Sequence, residues 1–160
     1  MTEPRPILIA YDGSEGARRA IAEAGRAFGP GRAAVVTTVW CSLAALAPSA
    51  ISGLPPGVAQ ASVDQLDAAT EREAAAQAQE GAEAARAAGF EAEPLAHRED
   101  GAAWAATVAL ADQLDAAAIV VGSRGLSGVK SALLGSFSRG VVHHARRPVL
   151  VVPPAEEADG

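Results

Sequence analysis

The chain has a single cysteine, Cys41, in 160 residues, so it can form neither an internal disulfide nor a multi-cysteine zinc site. A reducing compartment is the expectation. Aromatic residues are scarce at 4%, and alanine supplies much of the 49% hydrophobic content, as in a soluble chain built on alanine-rich helices. Basic residues are in deficit. The 13 Lys and Arg against 19 Asp and Glu leave a net charge of −6, which argues against binding nucleic acid or an anionic membrane, since both select a basic surface. One local anion pocket is still compatible with that balance. Long apolar runs are missing too. The opening MTEPRPILIAYDGS has too short an apolar stretch for a secretory signal, and nothing elsewhere approaches the roughly 20 residues of a membrane span. A cytoplasmic protein is expected.

A chain of this length is expected to form one domain over residues 1–154, burying about two thirds of its unfolded surface, followed by a disordered acidic tail at 155–160. The first short apolar run, residues 6–11, has no alternation and reads as a strand covered on both faces. Ser14 is placed to cap a helix with Ala17, Ile21, Ala24 and Phe28 on its inner face, stopped by Gly29 and Pro30. AAVVTTVW at 33–40 is the second strand. Residues 41–57, rich in Ser, Ala, Leu and Pro, read as a long irregular loop, either a lid over the pocket or a tolerated insertion. Residues 58–88 favour a helix ended by Gly89, with its charges forming a solvated face. Residues 90–100 read as a strand that Pro94 assigns to a sheet edge. Asp100 is expected to cap a helix bearing Trp104, Val108, Ala111 and Leu114. A fourth strand at 118–121, a short helix at 136–145 and a fifth strand at 149–152 complete the order. This alternation predicts an α/β fold: an open five-stranded parallel sheet with helices on both faces, Rossmann-like in type. Ligands of such sheets bind at the carboxyl ends of the strands, where strand order reverses, expected here between strands one and four.

Two features meet at that crevice. Asp12 follows strand one. After strand four the glycines fall at Gly122, Gly125 and Gly135, with Ser136 next, in VVGSRGLSGVKSALLGSFS. Glycines let backbone N–H groups approach a ligand closely, and the unpaired N–H groups of the helix opening at Ser136 favour an anion. A phosphate site is therefore expected. A Walker A loop is excluded because Val129 separates Gly128 from Lys130, and a dinucleotide fingerprint would have to follow the first strand, which ends in YDGSEG.

ILIAYDGS, the glycine pattern and the terminal RPVLVVP, in that order, resemble the ATP-binding branch of the universal stress protein family over nearly the whole chain. That resemblance implies an adenine nucleotide alpha hydrolase-like fold and ATP with Mg²⁺ as ligands. It implies that Asp12 contacts ribose or a phosphate-bound metal ion, and that Ala10 and Val39 meet adenine. It also implies that Gly122, Ser123, Arg124, Gly125 and Gly128 surround ribose and phosphates, while Gly135, Ser136, Phe137 and Ser138 complete the cradle. Gly140 departs from the commonest family pattern, and is expected to let its helix pack closely.

Each candidate has a plainer reading. Asp12 could serve only an Asx turn, Ser136 only a helix cap, and Val39 only core packing. Arg124 and Lys130 could clamp phosphate or be solvated, and Trp40 could line a base pocket or the core. His143 and His144, adjacent on a helix, diverge too far to share a metal, and with Arg146 and Arg147 they suit a helix C-terminus. Cys41 reads as a small packing residue, and His97 stands alone.

Functionally, the chain is expected to be a nucleotide-dependent regulatory switch in a stress response. Hydrolysis would be slow at most, since Asp12 has no second carboxylate tied to it. The alternative is a nucleotide-free interaction module of the same fold. A nucleotide-processing transferase or ligase would need further acid/base residues. The resemblance further implies a homodimer joined through strand five, acting on an unidentified protein partner.

Overall fold

The computed structural model describes residues 4–124 and 134–155. Five strands form one all-parallel sheet, β1 (Ile7–Ala10), β2 (Ala33–Trp40), β3 (Glu91–Arg98), β4 (Ala118–Gly122) and β5 (Val149–Val152), in the order β3-β2-β1-β4-β5. The expected α/β single domain with a parallel sheet is the fold observed. Pro94 lies on an edge strand, where its missing N–H costs no inner ladder bond. Strand order reverses between β1 and β4, so the carboxyl ends of those two strands flank the crevice.

Burial on both faces explains why the strands lack polar alternation. On β1, Ile7 and Ile9 enter one core with Ala17, Ala20, Ile21 and Ala24 of α1 (Glu15–Phe28). Leu8 enters the other core, between the sheet and α5 (Ala103–Gln113), with Leu110, Ala111, Ile119, Val121 and Val141. The long helix α4 (Pro56–Ala87) shares the first layer through Ala82 and Ala85. The small face of α4 suits an alanine-rich sequence with few aromatics, because backbones can approach where side chains are short.

Local signals at α1 are realised: Ser14 Oγ accepts the Ala17 N–H at 3.1 Å and Gly29 is the C-cap. Three expectations need correction. Residues 41–57 contain α2 (Leu43–Leu46) and α3 (Pro48–Ile51). Asp67 on α4 accepts the Leu43 N–H at 2.9 Å and the Ser42 hydroxyl at 2.7 Å, which fastens this segment to α4. Asp100 does not cap α5, whose N-cap is Ala102 with no side-chain bond. It lies two residues too early, and instead accepts the Ser42 N–H at 3.0 Å and pairs with Arg98 at 3.0 Å. Arg147 does not serve the end of α6 (Ser136–His144) either. It reaches Asp112 at 3.0 Å, Asp115 at 2.9 Å and the Ala116 carbonyl at 2.6 Å, behind α5.

The remaining polar end of α6 packs as Gly140 foreshadows. A Cβ at that position would come within 2.7 Å of Trp104 ring carbons. His144 stacks on the same ring, 4.2 Å between centroids, while its Nδ1 meets the Gly140 carbonyl at 2.9 Å. Glycine is thus what allows α6 to lie against α5 at the mouth of the crevice.

Candidate functional site

The first wall of the crevice is the turn after β1. The Tyr11 N–H donates to the Thr37 carbonyl at 2.9 Å, extending the β1–β2 pairing by one residue. Asp12 Oδ1 then accepts the Ser14 N–H at 2.9 Å, the Asx turn expected of its plainer reading. Among the described residues its second carboxylate oxygen has no partner. Gln77, reaching over from α4, donates to the Asp12 carbonyl at 3.0 Å and holds the turn in place.

The second wall is the end of β4. Gly122 packs so tightly against α1 that an added Cβ would stand 3.2 Å from the Gly16 backbone. Beyond it, Ser123 keeps pairing with β5 through its N–H to Val152 O at 2.8 Å. Its carbonyl accepts both the Gly135 N–H and the Ser138 hydroxyl, each at 2.8 Å. Ser123 therefore positions the start of α6 from outside the cavity lining. Gly135 is the N-cap of α6 and brings no capping side chain, so among the described residues no side chain caps the first N–H groups of a helix whose start lines the crevice.

Between the walls lies a cavity of about 370 Å³. Ala10, Asp12, Val39, Gly122, Arg124, Gly135, Ser136, Phe137 and Ser138, nine positions singled out from the sequence, line it. Gly125, Gly128 and Lys130 lie outside the described residues. Trp40 is not in the lining: the Arg98 guanidinium lies 5.6 Å from its ring centroid instead. No part of 41–57 lines the cavity, so the lid expectation is not met there.

Other lining residues escaped the sequence reading, including Thr37, Thr38, Gln77, Ala103 and Thr107. The TT pair inside the apolar AAVVTTVW was the signal available for the first two. Gln77 had none, being one polar residue among many on a solvated-looking helix. Tyr11, also in the lining, donates its hydroxyl to Glu80 Oε1 at 2.6 Å, and Arg18 donates to the same oxygen at 2.8 Å. Burial, and then this bond, push the Tyr11 phenol up to about 12, while the Tyr11 and Arg18 donors hold Glu80 below the ordinary carboxylate range.

No cluster of three or more His, Cys, Asp or Glu that could hold a metal occurs among the described residues. One carboxylate beside an anion cradle is what Mg²⁺ needs when phosphate oxygens complete its shell, so Asp12 fits that ion only together with a phosphate ligand. No helix among the described residues is long and apolar enough to cross a membrane.

Sheet order, crevice and glycine wall define an open parallel α/β protein with a cavity at its switch point. The universal stress protein family pattern matches residues 3–153, and the chain belongs to that family. No curated protein matches the chain in sequence. Its fold is similar to that of a hypothetical protein solved as a test case of structural genomics, at TM-score 0.73 and 22% identity, covering 98% of this chain and 100% of that one. It is also similar to the universal stress protein from Archaeoglobus fulgidus in complex with dAMP (TM-score 0.61, 22% identity, 92% and 97% covered). A universal stress protein in complex with cAMP is a further likeness (TM-score 0.55, 25% identity, 95% and 98% covered).

Proposed function

We propose that this chain binds ATP with Mg²⁺ in the β1/β4 crevice and works as a nucleotide-dependent regulatory switch of the stress response. The observation that carries the reading is the cavity itself. It falls in the ~300–1,000 Å³ range of small-molecule sites, and sets the uncapped start of α6, Arg124 and Gly122 opposite the open oxygen of Asp12. The dAMP and cAMP complexes of similar proteins support an adenine nucleotide.

In this reading the N–H groups at Ser136 and Phe137 orient the phosphates, Arg124 adds a cation, and Gly122 keeps side chains out of their way. Mg²⁺, held by Asp12 and the phosphates, supplies charge neutralisation. Asp12 is the only carboxylate in the lining among the described residues, and the cavity presents no histidine to relay a proton. Hydrolysis is accordingly slow at most. Occupancy is communicated through Ser123, which ties the β4 end to α6, and α6 in turn rests on α5. β5, an apolar edge strand, pairs with its counterpart in a cytoplasmic homodimer and so covers an edge that would otherwise invite aggregation.

Calorimetric titration of nucleotide-stripped protein with ATP and with AMP, each with and without Mg²⁺, tests this. Wild type should bind both. Asp12→Asn keeps the Asx acceptor, so it should weaken Mg·ATP more than AMP. Silence of the folded wild type toward every adenine nucleotide would refute the reading, and a monomeric solution mass would remove the homodimer.

A further inference from the structure

Three threonines line the cavity, and two have spent their hydroxyls. Thr38 Oγ1 donates to the Tyr11 carbonyl at 2.9 Å, and Thr107 Oγ1 donates to the Ala103 carbonyl at 2.9 Å within its own helix. The third, Thr37, is 1% exposed, and its Oγ1 has no hydrogen-bond partner among the described residues. A buried hydroxyl without a partner is costly, and native proteins leave few of them.

The register places this hydroxyl relative to the phosphate wall. Thr37 is level with Ala10 on β1, and Ile9 is level with Val120, so Thr37 lies across from Val121, next to Gly122. β2 and β4 are separated by β1 alone, two strand spacings or about 10 Å. That is the span of a nucleoside monophosphate from its phosphate to the far edge of its ring. The walls change along this span as well. Gly122, Arg124 and the start of α6 belong to the β4 side, whereas Val39 on β2 with Thr37, and Ala103 and Thr107 on α5, which packs against β2, line the other. An aromatic ring suits such apolar walls, and one unpaired hydroxyl among the lining residues can give it a directional contact.

Resting on the nucleotide reading above, we infer that Thr37 is a specificity-determining residue whose hydroxyl hydrogen-bonds the ring edge of the bound nucleobase. The O–H can donate to a ring nitrogen or accept from an exocyclic amino group, so it selects a nitrogen heterocycle over an apolar ring of equal shape. A site built around a polar partner rejects a ligand lacking it more strongly than an apolar wall can.

The test compares wild type, Thr37→Val and Thr37→Ser in AMP and ATP titrations, with thermal melting of each ligand-free protein. Thr37→Val keeps the side-chain shape and should lose about ten-fold in affinity, by the same factor for AMP and ATP because both carry the ring. Thr37→Ser, which restores the hydroxyl, should recover most of that loss. Ligand-free Thr37→Val should melt no lower than wild type, since it removes an unpaired polar group. Equal affinity of wild type and Thr37→Val, a loss confined to ATP, or a markedly lower melting point of Thr37→Val would each overturn the inference while leaving nucleotide binding intact. A wild type that binds neither nucleotide overturns both together.

Discussion

The two ends of the sheet use similar groups in opposite ways. At the amino end, Arg5 and Arg147 both close on the turn before β4: Arg5 donates to the Asp115 carbonyl at 2.9 Å, and Arg147 to Asp115 and the Ala116 carbonyl. Arg147 is only 14% exposed, and with Asp112, which it also meets at 3.0 Å, two guanidinium groups face two carboxylates there. At the carboxyl end, among the described residues, Asp12 commits one oxygen to its own turn, the Thr37 hydroxyl has no partner, and α6 begins without a side-chain cap. Polar groups that satisfy each other hold a fold together, whereas polar groups left open at a concave site are available to a ligand. The contrast is not absolute, since Arg32 Nε, just before β2, is also buried without a partner among the described residues, but that atom lines no part of the cavity.

The largest expected effect breaks the carboxyl end mechanically. Gly140→Val drives a side chain into Trp104 and should cost about 1–3 kcal/mol, shift α6 off α5 and lower nucleotide affinity with it. Denaturant unfolding and titration on one sample would read both. Ser138→Ala is subtler. Its hydroxyl, 1% exposed, donates to Ser123 O, and removing it should cost about 1 kcal/mol and loosen the link between β4 and α6. Amide exchange should rise there first.

Arg147→Ala sharpens the contrast from the other end. It should lower the melting temperature yet leave nucleotide affinity within about two-fold, since distant sites act nearly independently. The smallest effect at neutral pH concerns Tyr11. Its phenol is raised from 10.0 to about 12 in the folded protein, so the stability it contributes is complete below pH 10 and is lost as pH rises from there through about 12. Alkaline unfolding of wild type should show that decline, and Tyr11→Phe should not.

Much of the carboxyl end was legible because glycine spacing and a strand-end carboxylate report backbone geometry directly. Gly122, Gly135 and Ser136 line the crevice as expected, and Gly140 sits where a helix must approach an indole. What stayed hidden depends on tertiary packing. Gln77 is 65 residues from the Asp12 carbonyl it holds. Thr37 stands out only once its hydroxyl is seen to be buried without a partner among the described residues. Asp100 looked like a cap because the chain after it has helical pattern, but the helix begins three residues later and the carboxylate is drawn to Ser42 and Arg98. Short helices such as α2 and α3 leave little periodicity to read.

Backbone amide spectra of the nucleotide-stripped protein, recorded while Mg·ATP is added, test the central claim most directly. The account predicts shifts concentrated at Ala10–Ser14, Thr37–Val39, Gly122–Arg124 and Gly135–Ser138, with the amides of Asp112–Ala117 at the opposite end unmoved. No shifts at saturating nucleotide, or shifts centred on that opposite end, would contradict it.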